Sequence, residues 1–162
     1  MVSVRNKVVL ITGAGRGIGE ATARALAAKG AKLVLTDVDE APLTALVADL
    51  GDVAVGVRAD VRDLADMQSA VDTGIARFGG IDVVLANAGI SSYGSVLNVD
   101  PETFKRVIDI NTTGVFHTVR AALPSLIERK GYVLVVSSLA AFTACPGLAS
   151  YNASKAGAEH FA

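Results

Sequence analysis

Five short runs of aliphatic and β-branched residues recur along the chain, each followed by a longer segment with helical periodicity. KVVLIT precedes Gly17–Lys29, KLVLTD precedes Glu40–Leu50, VAVGVRAD precedes Asp63–Phe78, DVVLANAG precedes Pro101–Arg129, and YVLVVSS precedes the final segment. The runs are apolar on both faces instead of alternating, which is the pattern of parallel strands covered by helices above and below. An α/β fold is predicted. Asp100 is a good N-cap with Pro101 at the first helical position, and Gly30, Gly51 and Gly79 stand where helices should stop. No internal repeat, low-complexity tract or linker interrupts the 162 residues, so a single domain over residues 1–162 is expected.

Between the first apolar run and the first helix lies ITGAGRGIG, the context a dinucleotide-binding turn requires. The strict G-x-G-x-x-G spacing fails, because the last glycine would fall on Ile18 counted from Gly13 and on Glu20 counted from Gly15. What is present is T-G-x-x-x-G-x-G, formed by Thr12, Gly13, Gly17 and Gly19, with Arg16 and Ile18 completing the loop. Glycines still let the backbone turn sharply and approach a pyrophosphate, whose charge rests at the helix N-terminus. Taken alone, such a loop can also be an ordinary glycine-rich turn.

An acidic residue at the end of the second strand can accept hydrogen bonds from the adenosine ribose hydroxyls, and Asp37 ends KLVLTD. Asp39 is a rival that reads better as the N-cap of the following helix. A carboxylate at Asp37 repels a 2′-phosphate and Val38 offers no cation, so NAD is favoured over NADP. Arg16 argues weakly the other way, since its guanidinium could reach a 2′-phosphate; the ordinary reading of such an arginine is a solvated side chain.

Near the end of the chain, SYNASK places Tyr151 and Lys155 four residues apart on one helix face, so phenol and ammonium can share a pocket. A phenol trades protons near pH 7 only if its ionisation is assisted by about 4 kcal/mol, and an ammonium about 4 Å away supplies on the order of that much. Ser138 closes YVLVVSS at the carboxyl end of a parallel strand, where ligands sit in open α/β sheets; its neighbour Ser137 is the alternative, since alternation points only one of the two at a pocket. Singly, a strand-end serine is usually a turn former and a Tyr/Lys pair a surface pair; the glycine loop upstream reverses those odds.

With TGAGRGIG, NAG at Asn87–Gly89, Asn111, Ser138 and YNASK in this order, the sequence resembles the short-chain dehydrogenase/reductase family over essentially its whole length. The resemblance implies a doubly wound parallel sheet of strand order 3-2-1-4-5 that binds NAD or NADP, and hydride transfer between that cofactor and an alcohol or ketone. It implies that Tyr151 is the catalytic acid/base, Lys155 its activator and ribose ligand, Ser138 the carbonyl-polarising hydroxyl, and Asn111 the holder of a proton-relay water. Cofactor contacts are implied for Thr12, Gly13, Arg16, Gly17, Ile18, Gly19, Asp37, Asp60, Val61, Asn87, Ala88, Gly89, Tyr151 and Lys155, with Asp60 and Val61 at the adenine and Asn87 shaping the cleft. The family often has two asparagines before the Ala-Gly of this motif, whereas the first position here is Ala86, which puts one local hydrogen bond near the fourth strand in doubt.

Composition narrows the partners. A net charge of −1 with dispersed Lys and Arg leaves no basic stripe for nucleic acid and no polybasic membrane patch. Cys145 is the only cysteine, which excludes an internal disulfide and a cysteine metal cluster and leans towards the cytoplasm; no membrane span or targeting signal is evident. His117 and His160 lack neighbours at metal-ligand spacing, so no metal is expected. The leading expectation is an NAD-dependent dehydrogenase or ketoreductase acting on a small-molecule alcohol or ketone as a homodimer or homotetramer. The alternative is a dinucleotide-binding module without turnover or an inactive fragment, because only eleven residues follow Tyr151 and the family adds further sheet and a substrate-covering segment there. A sugar-nucleotide epimerase would be expected to carry T-G-x-x-G-x-x-G, a spacing absent here.

Overall fold

A computed structural model describes residues 3–162. The strands β1 (Val8–Thr12), β2 (Lys32–Asp37), β3 (Ala54–Arg58), β4 (Val83–Ala86) and β5 (Tyr132–Val135) form one parallel sheet ordered β3-β2-β1-β4-β5. The connecting helices are α1 (Gly17–Ala28), α2 (Glu40–Leu50), α3 (Leu64–Phe78), α4 (Pro101–Ile108) and α5 (Gly114–Arg129), and α6 (Ala149–Phe161) follows β5. The order reverses between β1 and β4, which opens a crevice beyond their carboxyl ends, the switch point where ligands bind in such sheets.

The apolar runs become strands because both faces are covered. Val9, Ile11, Leu33 and Leu35 pack in one cluster with Ala23 of α1 and Leu43 and Leu46 of α2. Val8, Leu10, Val34 and Val84 pack on the opposite face with Met67 and Val71 of α3 and Ala121, Ala122 and Leu126 of α5. Each fully buried leucine or isoleucine contributes about 1.5–3 kcal/mol relative to exposure. The two-sided pattern holds for β1, buried at all five positions, but not for the edges: β3 and β5 alternate, with Tyr132 and Leu134 exposed.

Helix punctuation follows the sequence closely. Asp100 Oδ2 accepts from Thr103 N–H at 3.0 Å, and Asp63 is a cap whose Oδ1 accepts from Ala65 N–H at 2.7 Å, so α3 begins one residue later than expected. Gly30 and Gly79 both take φ of +84° beyond their helices. Two expectations are corrected. Pro101–Arg129 is not one helix: Asp109–Thr113 widens into a π-turn between α4 and α5, where Asn111 is drawn into bonds outside the helix. Asp39 does stand at the N-cap position of α2, but its side chain makes no capping bond, because the carboxylate is paired with Arg16 instead.

Candidate active site

At the carboxyl ends of β1, β2, β3 and β4 lies a cleft of about 1030 Å³, at the upper end of ligand-pocket sizes. Gly13, Arg16, Ile18, Asp37, Asp60, Val61, Asn87, Ala88, Gly89, Tyr151 and Lys155 all line it. Residues separated by more than a hundred positions in the sequence are therefore brought to one surface. Thr12, Gly17, Gly19, Asn111 and Ser138 are not among the residues that line it.

The glycine loop is shaped by close approach. Gly13 takes φ of +63°, and a Cβ on Gly19 would lie 2.2 Å from the Gly13 carbonyl oxygen, so only glycine lets α1 begin so near β1. Gly17, at φ +60°, has open space where a side chain would be. No side chain caps α1, so its first N–H groups have no side-chain acceptor, and Arg16 at the N-cap position and Ile18 in the first turn line the cleft. Thr12 Oγ1 accepts from the N–H groups of Asn87 (3.1 Å) and Ala88 (3.0 Å), and Asn87 Nδ2 donates to the carbonyls of Thr12 (2.9 Å) and Gly13 (3.1 Å). These four bonds join the ends of β1 and β4 without help from Ala86, whose carbonyl instead accepts from Val136 N–H.

Asp37 is buried, and both its carboxylate oxygens already hold backbone: Oδ2 accepts from Gly15 N–H at 2.8 Å and Oδ1 from Asp39 N–H at 3.0 Å. A carboxylate has about four lone-pair sites, so two remain for a ligand while the first two fix the loop. Asp60 is clamped by Arg62, whose hydrogen bonds hold its carboxyl below the ordinary value against the opposing pull of burial. Val61 is buried, and its carbonyl lies 3.0 Å from His117 Nδ1, which gives that histidine a packing role.

Lys155 is 5% exposed, and its Nζ donates to the Val136 carbonyl at 2.6 Å. The same Nζ lies 5.8 Å from the centroid of the Tyr151 ring, and burial pushes the ammonium below the ordinary lysine value. Ser138 Oγ accepts from Ala140 N–H at 3.1 Å at the start of a short 3-10 turn, which leaves its own O–H free to donate. Ser137 Oγ is buried and has no partner. Asn111 is fully buried; Nδ2 donates to Ile90 O (2.8 Å) and Ser154 Oγ (2.9 Å), and Oδ1 accepts from Ile90 N–H (2.9 Å). Both amide hydrogens are thus spent on the protein. Ser154, whose Oγ donates to the Tyr151 carbonyl at 2.8 Å, is the member of this set that the sequence did not single out. Its place between Tyr151 and Lys155 was the only available signal.

Among the described residues, no group of three or more metal-ligating side chains occurs and no helix is long and apolar enough to cross a membrane. The residues present fit a dinucleotide: an uncapped helix N-terminus, a positive-φ glycine loop and a carboxylate with free lone pairs share a cleft of sufficient volume.

Residues 7–162 match the family model described as short chain dehydrogenase. A (-)-trans-carveol dehydrogenase of Rhodococcus erythropolis is 38% identical over 97% of this chain and 63% of its own length. A 3-oxoacyl-[acyl-carrier-protein] reductase of a Synechocystis species is 37% identical over 99% of this chain and 67% of its own length. Among solved structures, a short-chain dehydrogenase/reductase from Burkholderia phymatum in complex with NAD superposes with a TM-score of 0.95 at 34% identity, covering 99% of this chain and 59% of that one. A 3-ketoacyl-(acyl-carrier-protein) reductase from Brucella melitensis complexed with NADH gives 0.91 at 38% identity, covering 95% and 66%. The chain therefore spans less than two thirds of the length of most of these proteins. A family match running from the first strand through the Tyr151 helix, with a solved member superposing over 99% of the chain at a TM-score of 0.95, shows that the chain belongs to the short-chain dehydrogenase family.

Proposed function

We propose that the chain forms the dinucleotide-binding and catalytic part of an NAD-dependent oxidoreductase acting on a small alcohol or ketone. The observation that carries this reading is the convergence of Tyr151, Lys155 and the uncapped N-terminus of α1 on one cleft. The bound nicotinamide would supply the hydride acceptor or donor. The Tyr151 Oη takes the substrate hydroxyl proton on oxidation and returns it on reduction. Lys155 favours that transfer through its ammonium; one of its three N–H donors is held by Val136 O and two remain for ribose hydroxyls. The free O–H of Ser138 donates to the substrate oxygen. Asn111 acts through its bonds to Ile90 and Ser154, setting the distance between the residues after β4 and the Tyr151 turn, and any water held there must use its main chain or the remaining lone pair of Oδ1. Asp37 takes the adenosine ribose hydroxyls, with Asp60 and Val61 lining the adenine end. NAD in one structural relative and NADH in another support this cofactor over NADP.

The same reading places the protein in the cytoplasm as a homo-oligomer. Phe116, Leu123 and Ile127, exposed on α5, support self-association, and the single unpaired cysteine fits a reducing compartment. The test is the absorbance of reduced nicotinamide on mixing the protein with NAD and a panel of secondary alcohols. Turnover is expected, and Tyr151→Phe should lower it roughly 10²–10⁴-fold with little change in NAD affinity. Unchanged turnover in that variant removes Tyr151 from the mechanism, and NAD binding without turnover on any alcohol or ketone favours a dinucleotide-binding module.

A further inference from the structure

Arg16 is the only cation of the loop between Thr12 and Gly19, and it stands at the N-cap position of α1. Its guanidinium is paired with the carboxylate of Asp39, which stands at the N-cap position of α2. Both side chains line the cleft beside Asp37. Two observations mark this pair as more than a chance surface contact. An aspartate at an N-cap normally accepts from the N–H groups of its own first turn, yet Asp39 makes no such bond. The two chain segments that carry the pair are also stitched together by the buried Asp37, which accepts from Gly15 N–H on one side and Asp39 N–H on the other. Arg16 and Asp39 are thus presented to each other across the rim of the cleft by backbone that a buried carboxylate holds in place.

We propose that Asp39 determines cofactor specificity by withholding Arg16: the ion pair occupies the one cation of the glycine loop that could bind a 2′-phosphate. This rests on the dinucleotide reading of the cleft. Entry of a 2′-phosphorylated nucleotide would have to break the pair and approach a second carboxylate beyond Asp37. A nucleotide with a free 2′-hydroxyl meets neither obstacle. Arg58 is a second cation at this end, in register with Asp37 on the neighbouring strand, so the test must tell the two arginines apart.

The experiment is direct titration of NAD and NADP, followed by protein fluorescence or calorimetry, into wild type and three variants. Asp39→Asn removes the charge and frees Arg16, so NADP should bind about tenfold more tightly while NAD changes by less than about twofold. Asp39→Glu keeps the charge within reach of Arg16 and should keep the wild-type preference. The double variant Asp39→Asn with Arg16→Ala should lose the NADP gain. Since both groups are exposed, the gain should shrink as ionic strength rises. An unchanged NADP-to-NAD ratio in Asp39→Asn overturns the proposal, as does a gain that survives in the double variant, which would assign the phosphate to Arg58. Failure of wild type to bind NAD at all sinks the dinucleotide reading and this inference with it.

Discussion

Lys155 carries a cost that its position explains. An ammonium that is 5% exposed, with one neutral carbonyl as its hydrogen-bond partner, is poorly compensated for lost water, and burial accordingly pulls its proton affinity down. The unfolded chain then binds that proton more tightly than the folded one, so wild type is penalised below the lowered folded value and recovers as pH rises towards the ordinary 10.5. Lys155→Met should therefore raise the denaturant midpoint at pH 7, with the advantage shrinking at pH 10, while cofactor affinity and turnover collapse. A Met variant less stable than wild type at pH 7 would mean that the ammonium is a net stabiliser. The Tyr151–Lys155 pair was legible in the sequence because helix geometry alone places positions four apart on one face. The partners of Asn111 and the Arg16–Asp39 pair were not, because they meet only once separate segments have folded together.

Among the elements, the strand-to-helix turn from β1 into α1 separates two reasons for needing glycine. A Cβ at Gly19 would meet the Gly13 carbonyl oxygen at 2.2 Å and Asn87 Nδ2 at 2.8 Å, so Gly19→Ala must push α1 away from the β4 end. That overpacking should cost about 2–3 kcal/mol and weaken NAD binding through the displaced helix terminus. Gly17 has nothing nearby but takes φ of +60°, so Gly17→Ala should cost only about 1–2 kcal/mol, from the left-handed backbone alone. Denaturant midpoints of the two variants check the order, and a Gly19→Ala protein as stable as wild type would contradict the close approach. The five strand–helix alternations were readable because parallel strands buried on both faces leave continuous apolar runs. The edge strands β3 and β5 break that rule, since each has one neighbour in the sheet and a half-covered face. The π-turn at Asp109–Thr113 left no trace in the pattern either, because the bonds of Asn111 to Ile90 and Ser154 come from outside the helix.

For the whole molecule, the sheet order expected from the family resemblance is the order found, whereas the faces left uncovered emerge only from the folded surface. On α5, Phe116 (39% exposed), Leu123 (44%) and Ile127 (70%) recur at intervals of seven and four, and so share one outward stripe. Phe161 of α6 (44% exposed) meets Phe116 edge-to-face at 6.2 Å, which carries the stripe across two helices. Arg120, within the stripe, lies over the Phe116 ring at 5.8 Å, so its charge sits at the margin of the apolar surface. With a net charge of −1 the molecule opposes a second copy with almost no long-range repulsion. Two copies packing this face about a two-fold axis would each bury the other's stripe, and an isologous contact doubles the effect of any substitution in it. Ile127→Glu should therefore place two carboxylates in one apolar interface and halve the solution mass measured by light scattering. Because Ile127 is remote from the cleft lining, NAD affinity per chain should stay the same. A wild-type protein that is already monomeric at about 100 µM would mean that this stripe is not a self-association surface, and association that persists in the variant would place the contact elsewhere.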